Sequence, residues 1–298
     1  MLDSQKLHLL TISDLEIVKT FQQSFGWNLK IMRSLYGLRS LEVFPEPDNS
    51  LYLVSKNGDI PLTLPADSCI GLNTFLGKQW DLRKVNFFVS IANNLGIELC
   101  LIDVGANVGL FSRQFASQSR LIKDAYLYEP HPENYNYLMR NLAEWEIHPN
   151  LINAALSDVC GKLDFYEDPT NCGNYSLNIN AMPDIRGQIK VDVLVAQDEE
   201  EKWLSSNLPI FYKSDTQGFD EKIASSLSMN FWRNVRCAAF ELWRIDKPEF
   251  DKDRFIEVLE SFPNKVFEAN QTAQVGAKEV MSYLEGRDGK FDDLLCWR

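Results

Sequence analysis

The sequence predicts an α/β fold in which a doubly wound, mostly parallel sheet is covered by helices on both faces. From Glu98 onward, short apolar runs alternate with segments of helical periodicity, and this alternation is typical of parallel sheets. The number of these segments fits one sheet, with an antiparallel strand near its C-terminal edge. A glycine-containing turn follows the first apolar run, as expected where strand passes into helix.

Residues 1–95 are predicted to form an N-terminal α+β extension. Ser13 and Glu16 have the spacing of a capping box, and apolar residues at four-residue steps follow them, so a helix is expected there. Asn57 and Gly58 lie between two strand-like runs and predict a hairpin. The sequence leaves open whether this extension is a substrate lid or a dimerisation element. Residues 96–298 are predicted to be the domain that carries the sheet.

Within residues 96–298 the strand and helix segments can be assigned in order. The acidic run 198–201 is interpreted as the solvated start of a helix, where acids complement the helix dipole. Other helices are expected after Gly109, from Pro132, from Phe219 and around Phe255. The predicted strands are ELCLIDV, DAYLYEP, NLINAAL, PIFYKSD, CAAFELW, KVFEA and DDLLCW.

Composition and charge exclude several classes of function. A net charge of −12 opposes nucleic-acid binding, which depends on Lys and Arg at phosphates. We expect no membrane span, because no apolar run approaches about 20 residues. The start lacks the pattern of a secretory signal, so we expect a cytoplasmic protein. The six cysteines are scattered and the three histidines have no ligand spacing, so free thiols and no metal site are expected.

The turn after the first strand, in CLIDVGANVGLFS, has the features of a ligand-binding turn. Gly105 and Gly109 allow a sharp bend and close approach of a ligand, and Asn107 tolerates positive φ. The helix that follows would offer N–H groups to an anion. A nicotinamide fingerprint requires glycines where this chain has Asn107 and Leu110, so a dehydrogenase is the weaker alternative.

Two acidic residues end the first two strands of the predicted sheet. Asp103 ends the first, and Glu129 ends the second in YLYEP. Glu129 follows Gly109 by roughly 20 residues, the spacing at which an acid accepts hydrogen bonds from ribose hydroxyls in dinucleotide-binding folds. The pair therefore predicts a nucleoside site at this end of the sheet.

Four segments in this order, LIDVGANVGLFS, YLYEPHPENYNYLMRNL, NAALSDVCGKLDFYE and FYKSDTQGFDEKIASSL, resemble the FkbM family of S-adenosylmethionine-dependent methyltransferases. The resemblance covers roughly residues 98–245. It implies a Rossmann-like class I methyltransferase fold with S-adenosylmethionine as cofactor. The methionine part would lie against Gly105 to Gly109 near Asp103, and Glu129 would hold the ribose. His131 would flank the adenine, and Ser157 with Asp158 would lie near its amino group.

The same resemblance implies that Asp215 lies beside the transferred methyl group, where it would orient or deprotonate the acceptor. Lys213, two residues earlier on the same strand face, would pair with it. Glu241 ends a later strand and is either a substrate contact or a helix cap. Two departures from the family pattern are Ser214, where an aliphatic residue is usual, and 195–197, where Val-Ala-Gln replaces Thr-Leu-Asp.

The resemblance predicts methyl transfer to a hydroxyl of a sugar or secondary metabolite. An amide or amine of a peptide natural product is the alternative acceptor, and a non-catalytic nucleoside-binding protein is an alternative of another class. We expect a small-molecule or peptide acceptor, and the sequence leaves a homodimer open.

Overall fold

The computed structural model describes residues 41–45, 50–55, 62–65, 70, 80–168, 171–181, 187–270 and 272–298. The chain is divided into two compact units. One comprises Met1–Trp80 with Thr170–Gly173, and the other comprises Asp81–Pro169 with Asn174–Arg298.

The first unit contains a three-stranded antiparallel sheet of β1 (Leu41–Pro45), β2 (Ser50–Ser55) and β3 (Leu62–Pro65). Strands β2 and β3 pair with Leu53 opposite Leu62, a register centred on the predicted Asn57–Gly58 turn. The turn itself and the helix predicted near residues 13–25 lie outside the described residues.

The second unit is built on a seven-stranded sheet, which confirms the predicted doubly wound, Rossmann-like α/β fold. Its order is β12-β13-β11-β10-β4-β5-β6. Only β13 runs antiparallel to its neighbours, one place in from the edge, as predicted. The strands are β4 (Leu99–Val104), β5 (Ile122–Tyr128), β6 (Asn150–Ile152), β10 (Ile210–Ser214), β11 (Val235–Trp243), β12 (Asn264–Phe267) and β13 (Phe291–Trp297).

Eight α-helices belong to the described part of this unit, together with two short 3₁₀ turns. The helix that precedes β4 starts before the predicted domain boundary at residue 96, so the compact unit includes it. The helices are α1 (Leu82–Leu95), α2 (Leu110–Gln118), α3 (Pro132–Leu142), α4 (Ala196–Leu204), α5 (Asp220–Ser226), α6 (Met229–Asn234), α7 (Lys252–Glu260) and α8 (Ala277–Leu284).

Side chains alternate along the central strands and bury two separate cores. On one face, Phe88 of α1 and Phe115 of α2 pack with Phe211 of β10. On the other, Tyr212 of β10 packs with Trp232 of α6. The strand order reverses between β4 and β10, so the carboxyl ends of these two strands flank the crevice in which such sheets bind ligands.

The third predicted strand, NLINAAL, is divided between two sheets. Its first part is β6, whereas Ala155–Ser157 forms β7 in a small sheet of order β7-β9-β8, with β8 at Gly161–Glu167 and β9 at Gly187–Val195. Asn153 separates the two parts, and its side-chain amide donates to the carbonyls of Glu129 (2.8 Å) and Pro130 (3.1 Å). The sequence predicted that Ser157 lies at the end of a strand of the main sheet. In the structure it instead ends β7 of the small sheet.

The acidic run 198–201 does lie in a helix, α4, but the expectation that it is solvated is wrong for two of its residues. Glu199 and Glu200 are buried. Glu199 accepts a hydrogen bond from the Tyr128 hydroxyl (2.8 Å), and Glu200 accepts from the Ser228 amide and hydroxyl. These carboxylates tie α4 to β5 and to the start of α6.

Candidate functional site

The turn between β4 and α2 is held tightly against two neighbouring strands. The N–H groups of Gly105 and Ala106 both donate to the Tyr128 carbonyl at the end of β5, at 3.0 and 2.9 Å. Gly105 has φ +73°, and a Cβ added to it would lie 2.0 Å from the Asp215 carbonyl oxygen. Only glycine permits this approach, so the predicted sharp turn is present and packs on the end of β10.

The second half of the turn presents the start of α2. Asn107 has φ +52°, as its predicted tolerance requires, and its side chain accepts from the Val108 amide (2.7 Å). Gly109 precedes the helix with φ +81° and provides no side-chain cap. A Cβ at Gly109 would lie 2.8 Å from a methyl group of Leu138. The turn therefore brings backbone rather than side chains to the helix N-terminus, where an anion is favoured.

Glu129 links this turn to the end of β5. One carboxylate oxygen accepts from the Asn107 amide and the other from the His131 amide, both at 2.8 Å. Burial raises the pKa of Glu129 to about 7, despite the two backbone N–H groups that favour its charged form. The Asn134 side chain also hydrogen-bonds this carboxylate. A carboxylate has about four lone-pair sites, so ligand hydroxyls can use the remaining site and replace the Asn134 bond.

Asp103 and Lys213 form a buried ion pair beneath the turn. Lys213 Nζ lies 3.0 Å from Asp103 Oδ1, 3.8 Å from Asp215 Oδ2, and donates to the Gly105 carbonyl at 2.9 Å. Asp103 is fully buried and also accepts from the Ser112 hydroxyl (2.5 Å). Burial alone would lower the pKa of Lys213, but Asp103 and Asp215 raise it above its usual value. In this geometry both residues order the turn, and their direct contact with a ligand stays a prediction.

His131 lies on the opposite side of Glu129 from the turn. Its Nε2 is 2.9 Å from Glu167 Oε1, and its ring is 4.7 Å from that of Tyr175. The ring is buried, and its Nδ1 has no hydrogen-bond partner among the described residues. The predicted contact of His131 with a planar base is compatible with this setting but is not tested by it.

Ser157 is the last residue of β7 in the small sheet, and Asp158 follows it. The Ser157 hydroxyl donates to Asp158 (3.0 Å), and Lys222 of α5 lies 2.9 Å from the other Asp158 oxygen. Desolvation opposes the charge of Asp158, but Lys222 and Ser157 together lower its pKa. Asp158 is thus an ionised, partly exposed carboxylate, and its role at an adenine amino group stays a prediction.

Asp215 stands at the end of β10, where the chain leaves the sheet. Its Oδ1 accepts from the Gln217 side-chain amide (3.0 Å), and the same amide nitrogen donates to Glu241 Oε2 (2.6 Å). Gln217 adopts φ +35°. Glu241 also accepts from the Trp243 indole (2.6 Å), so its side chain faces Asp215 and not a helix terminus. Two carboxyl groups therefore meet at this edge, joined by one amide.

The sequence interpretation missed Gln217 and two charged residues, Lys84 and Asp293, at this edge. Lys84 of α1 lies 3.5 Å from Asp215 Oδ2 and 2.9 Å from Asp293 Oδ1. Gln217 belonged to the motif that predicted Asp215, and its two side-chain N–H groups beside an acid were a usable signal. Lys84 and Asp293 are more than 75 residues from Asp215 and had none.

Raised carboxyl pKa values predict an unusual pH dependence of stability. Burial is the largest cause that brings the pKa values of Glu129, Asp220 and Asp293 to about 7. The folded state then binds more protons than the unfolded state from about pH 4.5 to 7. The free energy of unfolding in urea should therefore fall as pH rises from 5 to 8. Glu129→Gln should reduce this slope, and a stability that rises over this range would contradict the assignment.

Neither a bilayer-spanning helix nor a metal-binding cluster is found where the structure is described. In those ranges no helix combines the length and apolarity that a span requires. The same ranges contain no group of three or more His, Cys, Asp or Glu side chains that could hold a metal ion. The absence of a metal in the protein therefore remains a sequence prediction.

The chain resembles known proteins only distantly. No protein-family model matches it, and no curated protein is similar to it in sequence. Among solved structures, it is similar to a putative caffeoyl-CoA O-methyltransferase from Staphylococcus aureus, at 12% identity over 78% of this chain and 93% of that chain, with a TM-score of 0.34. The StiE O-MT structure gives 9% identity over 78% and 77%, with a TM-score of 0.37.

Spermidine synthase from Thermotoga maritima is also similar, at 10% identity over 86% of this chain and 68% of that chain, with a TM-score of 0.32. Because the identities are 12% or less and the TM-scores are below 0.4, these similarities do not show the function of this chain.

Proposed function

We propose that the protein is an S-adenosylmethionine-dependent methyltransferase of the FkbM type. The observation that carries this proposal is Glu129, a buried carboxylate that joins the ends of β4 and β5 through the Asn107 and His131 amides. A nucleoside whose ribose binds Glu129 would place its 5′ substituent over the glycine turn, at the switch point of the sheet.

The residues around the turn fit the cofactor group by group. Its ribose hydroxyls would donate to the remaining lone pairs of Glu129. Its carboxylate would lie at the uncapped start of α2, where backbone N–H groups favour an anion. The adenine would lie towards His131 and Asp158. The backbone of Asp215 abuts Gly105, which supports a sulfonium position beside the Asp215 side chain.

Asp215 is the residue best suited to act on the acceptor. When bound, S-adenosylmethionine supplies a methyl group on a sulfonium sulfur, and its transfer to an acceptor oxygen leaves a neutral thioether and frees the acceptor proton. Burial works against ionisation of Asp215, but Lys84 and Lys213 lower its pKa. Asp215 is therefore charged at neutral pH and can take the acceptor proton or orient the acceptor. Its side chain is 19% exposed, so a ligand can reach it.

The acceptor would approach over the ends of β10, β11 and β13. Trp243 stacks on Phe291 with ring centroids 4.8 Å apart and an interplanar angle of 24°. Phe291 is 53% exposed. An aromatic surface beside carboxylates suits a ring that has both an apolar face and hydroxyl groups. This supports O-methylation of a sugar or secondary metabolite over N-methylation of a peptide.

The proposal is tested by methyl transfer to a small-molecule extract, with trideuteromethyl-labelled S-adenosylmethionine and detection by mass spectrometry. We expect labelled products with wild-type protein. Asp215→Asn should reduce labelling about 100-fold or more, because an amide cannot accept the proton. Its S-adenosylmethionine affinity, measured by calorimetry, should fall only about three- to tenfold, because the variant loses the charge beside the sulfonium but keeps the Glu129 carboxylate and the turn.

Asp192→Asn is the matched control, because Asp192 is an exposed acid of the small sheet that pairs with Lys162 on the neighbouring strand. It should label as wild type does. Label on an amide or amine would support the N-methylation alternative. Wild-type protein that neither binds S-adenosylmethionine nor produces label would contradict the proposal.

A further inference from the structure

Lys84 is a buried ammonium among carboxylates from three separate segments. Its side chain is 3% exposed, and Nζ lies 2.9 Å from Asp293, 3.1 Å from Asp81 and 3.5 Å from Asp215. An ammonium has three N–H donors, so three carboxylates can use all of them. Lys84 is therefore not arranged to bind a ligand directly.

The backbone before α1 is adapted to this arrangement. Asp81 precedes the helix with φ +53°, a left-handed conformation that is uncommon for residues other than glycine. An Asp at this position usually caps the first-turn N–H groups, but the Asp81 side chain makes no such bond. Its carboxylate faces Lys84 instead. The chain gives up a helix cap and accepts an unfavourable φ to place a second acid beside this ammonium.

Asp215, Glu241 and Asp293 lie on one face of three adjacent strands. Glu241 is opposite Asp293 in the β11–β13 register, and Asp215 directly follows β10 beside Glu241. Lys84 approaches this row from α1, which covers the same face. Other charged groups near Lys84 and its partners are Asp103 and Lys213 of β4 and β10, Arg83 of α1, Glu268, and Asp292 of β13.

We propose that Lys84 is a positioning residue that keeps Asp215 as a fixed carboxylate beside the glycine turn. The inference rests on the proposed function, because it concerns the group that faces the sulfonium and the acceptor. It assigns to the reaction a residue outside the segment that resembles the FkbM family.

The charges at this edge explain why the loss of Lys84 would change the protonation of Asp215. Burial opposes the charged form of Lys84, yet Asp293, Asp81 and Asp215 raise its pKa well above the usual value. Burial, Asp215 and Asp293 raise the pKa of Glu241. Without Lys84, the carboxyl groups of Asp215, Glu241 and Asp293 would share one edge, and like charges so close do not all ionise. Asp215 would then bind a proton at a higher pH than in wild type.

The test compares S-adenosylmethionine, which carries the sulfonium charge, with S-adenosylhomocysteine, which does not. Calorimetric titration from pH 6 to 8 gives the ratio of their dissociation constants, in which general damage to the site cancels. In wild type this ratio should favour S-adenosylmethionine and stay constant over the range. In Lys84→Met the preference should fall about threefold or more at pH 6 and recover towards pH 8. Lys84→Arg should behave as wild type.

Lys265→Met is the matched control, since Lys265 is also buried but lies at the other end of the sheet, where it donates to the Phe262 carbonyl (2.5 Å). It should leave the ratio unchanged. Asp293→Asn serves if Lys84→Met does not fold, with the titrations of this variant and of wild type extended below pH 6 until the preference for S-adenosylmethionine falls. The variant leaves Lys84 with one acid fewer, so its preference should persist to a lower pH than that of wild type.

A Lys84→Met protein with the wild-type ratio at every pH would overturn the inference while leaving the proposed function intact. An unchanged pH limit in Asp293→Asn would overturn it as well. If wild-type protein binds neither compound, the proposed function fails and the role of Lys84 fails with it.

Discussion

Glu129→Ala is expected to weaken S-adenosylmethionine binding about 100-fold or more. The substitution removes an acceptor that would receive two ribose hydroxyls, and each hydrogen bond to a charged group contributes about 1.5–3 kcal/mol. It also removes the bonds that tie the Asn107 and His131 amides together. The measurement is calorimetric titration of both proteins with S-adenosylmethionine at pH 7.5 or above, where Glu129 is ionised.

Glu257→Ala is the control for Glu129→Ala. Glu257 is an exposed acid on α7 that pairs with Arg254. Its replacement should leave the affinity unchanged. Equal affinities for wild type and Glu129→Ala would show that the nucleoside does not bind at this carboxylate.

Gly105→Ala is expected to abolish measurable cofactor binding and to destabilise the fold by about 3 kcal/mol or more. A methyl group here would lie 2.0 Å from the Asp215 carbonyl oxygen, so the turn or the end of β10 must move. Alanine at positive φ adds a further cost of about 1–2 kcal/mol. Urea unfolding measures the stability, and calorimetry on the folded fraction measures binding.

Gly289→Ala separates the cost of alanine at positive φ from the cost of the close contact with Asp215. Gly289 has φ +70°, close to that of Gly105, but no atom lies within 4 Å of an added Cβ. It should cost only about 1–2 kcal/mol and leave cofactor binding intact. If both variants lose the same stability and both bind cofactor, the close contact between the turn and Asp215 is not important.

The parts of the site that the sequence could predict depend on local patterns. The β4–α2 turn and the acid after β5 lie within 30 residues, and their residue types are those that a strand-to-helix turn and a ribose contact require. The strand after residue 209 and the position of Asp215 at its end follow from an apolar run that stops at a charged residue. These signals do not depend on the rest of the chain.

The remaining features depend on packing between distant segments. Nothing near Asp103 in the sequence indicates that it is fully buried and pairs with Lys213, which makes it a support of the turn. The division of NLINAAL between two sheets depends on the Asn153 amide, which bonds to carbonyls after β5. Glu199 and Glu200 read as surface acids because their partners, Tyr128 and Ser228, come from other elements.

Lys84, beside Asp215, is another residue whose surroundings could not be predicted from nearby sequence. Its three carboxylate partners lie 3, 131 and 209 residues away, and only the nearest is visible as a sequence spacing. The fold brings them together because α1 covers the face of the sheet that carries the ends of β10 and β11 and the start of the antiparallel β13. A domain boundary after α1 would separate Lys84 from Asp215 and Asp293.

The most direct test of the central claim is a crystal structure of the protein grown with S-adenosylhomocysteine. We expect both ribose hydroxyls within hydrogen-bond distance of the Glu129 carboxylate, and the homocysteine part along Gly105 to Gly109. The sulfur should face Asp215. A nucleoside bound elsewhere, or a crevice that stays closed by packed side chains at saturating ligand, would contradict the account.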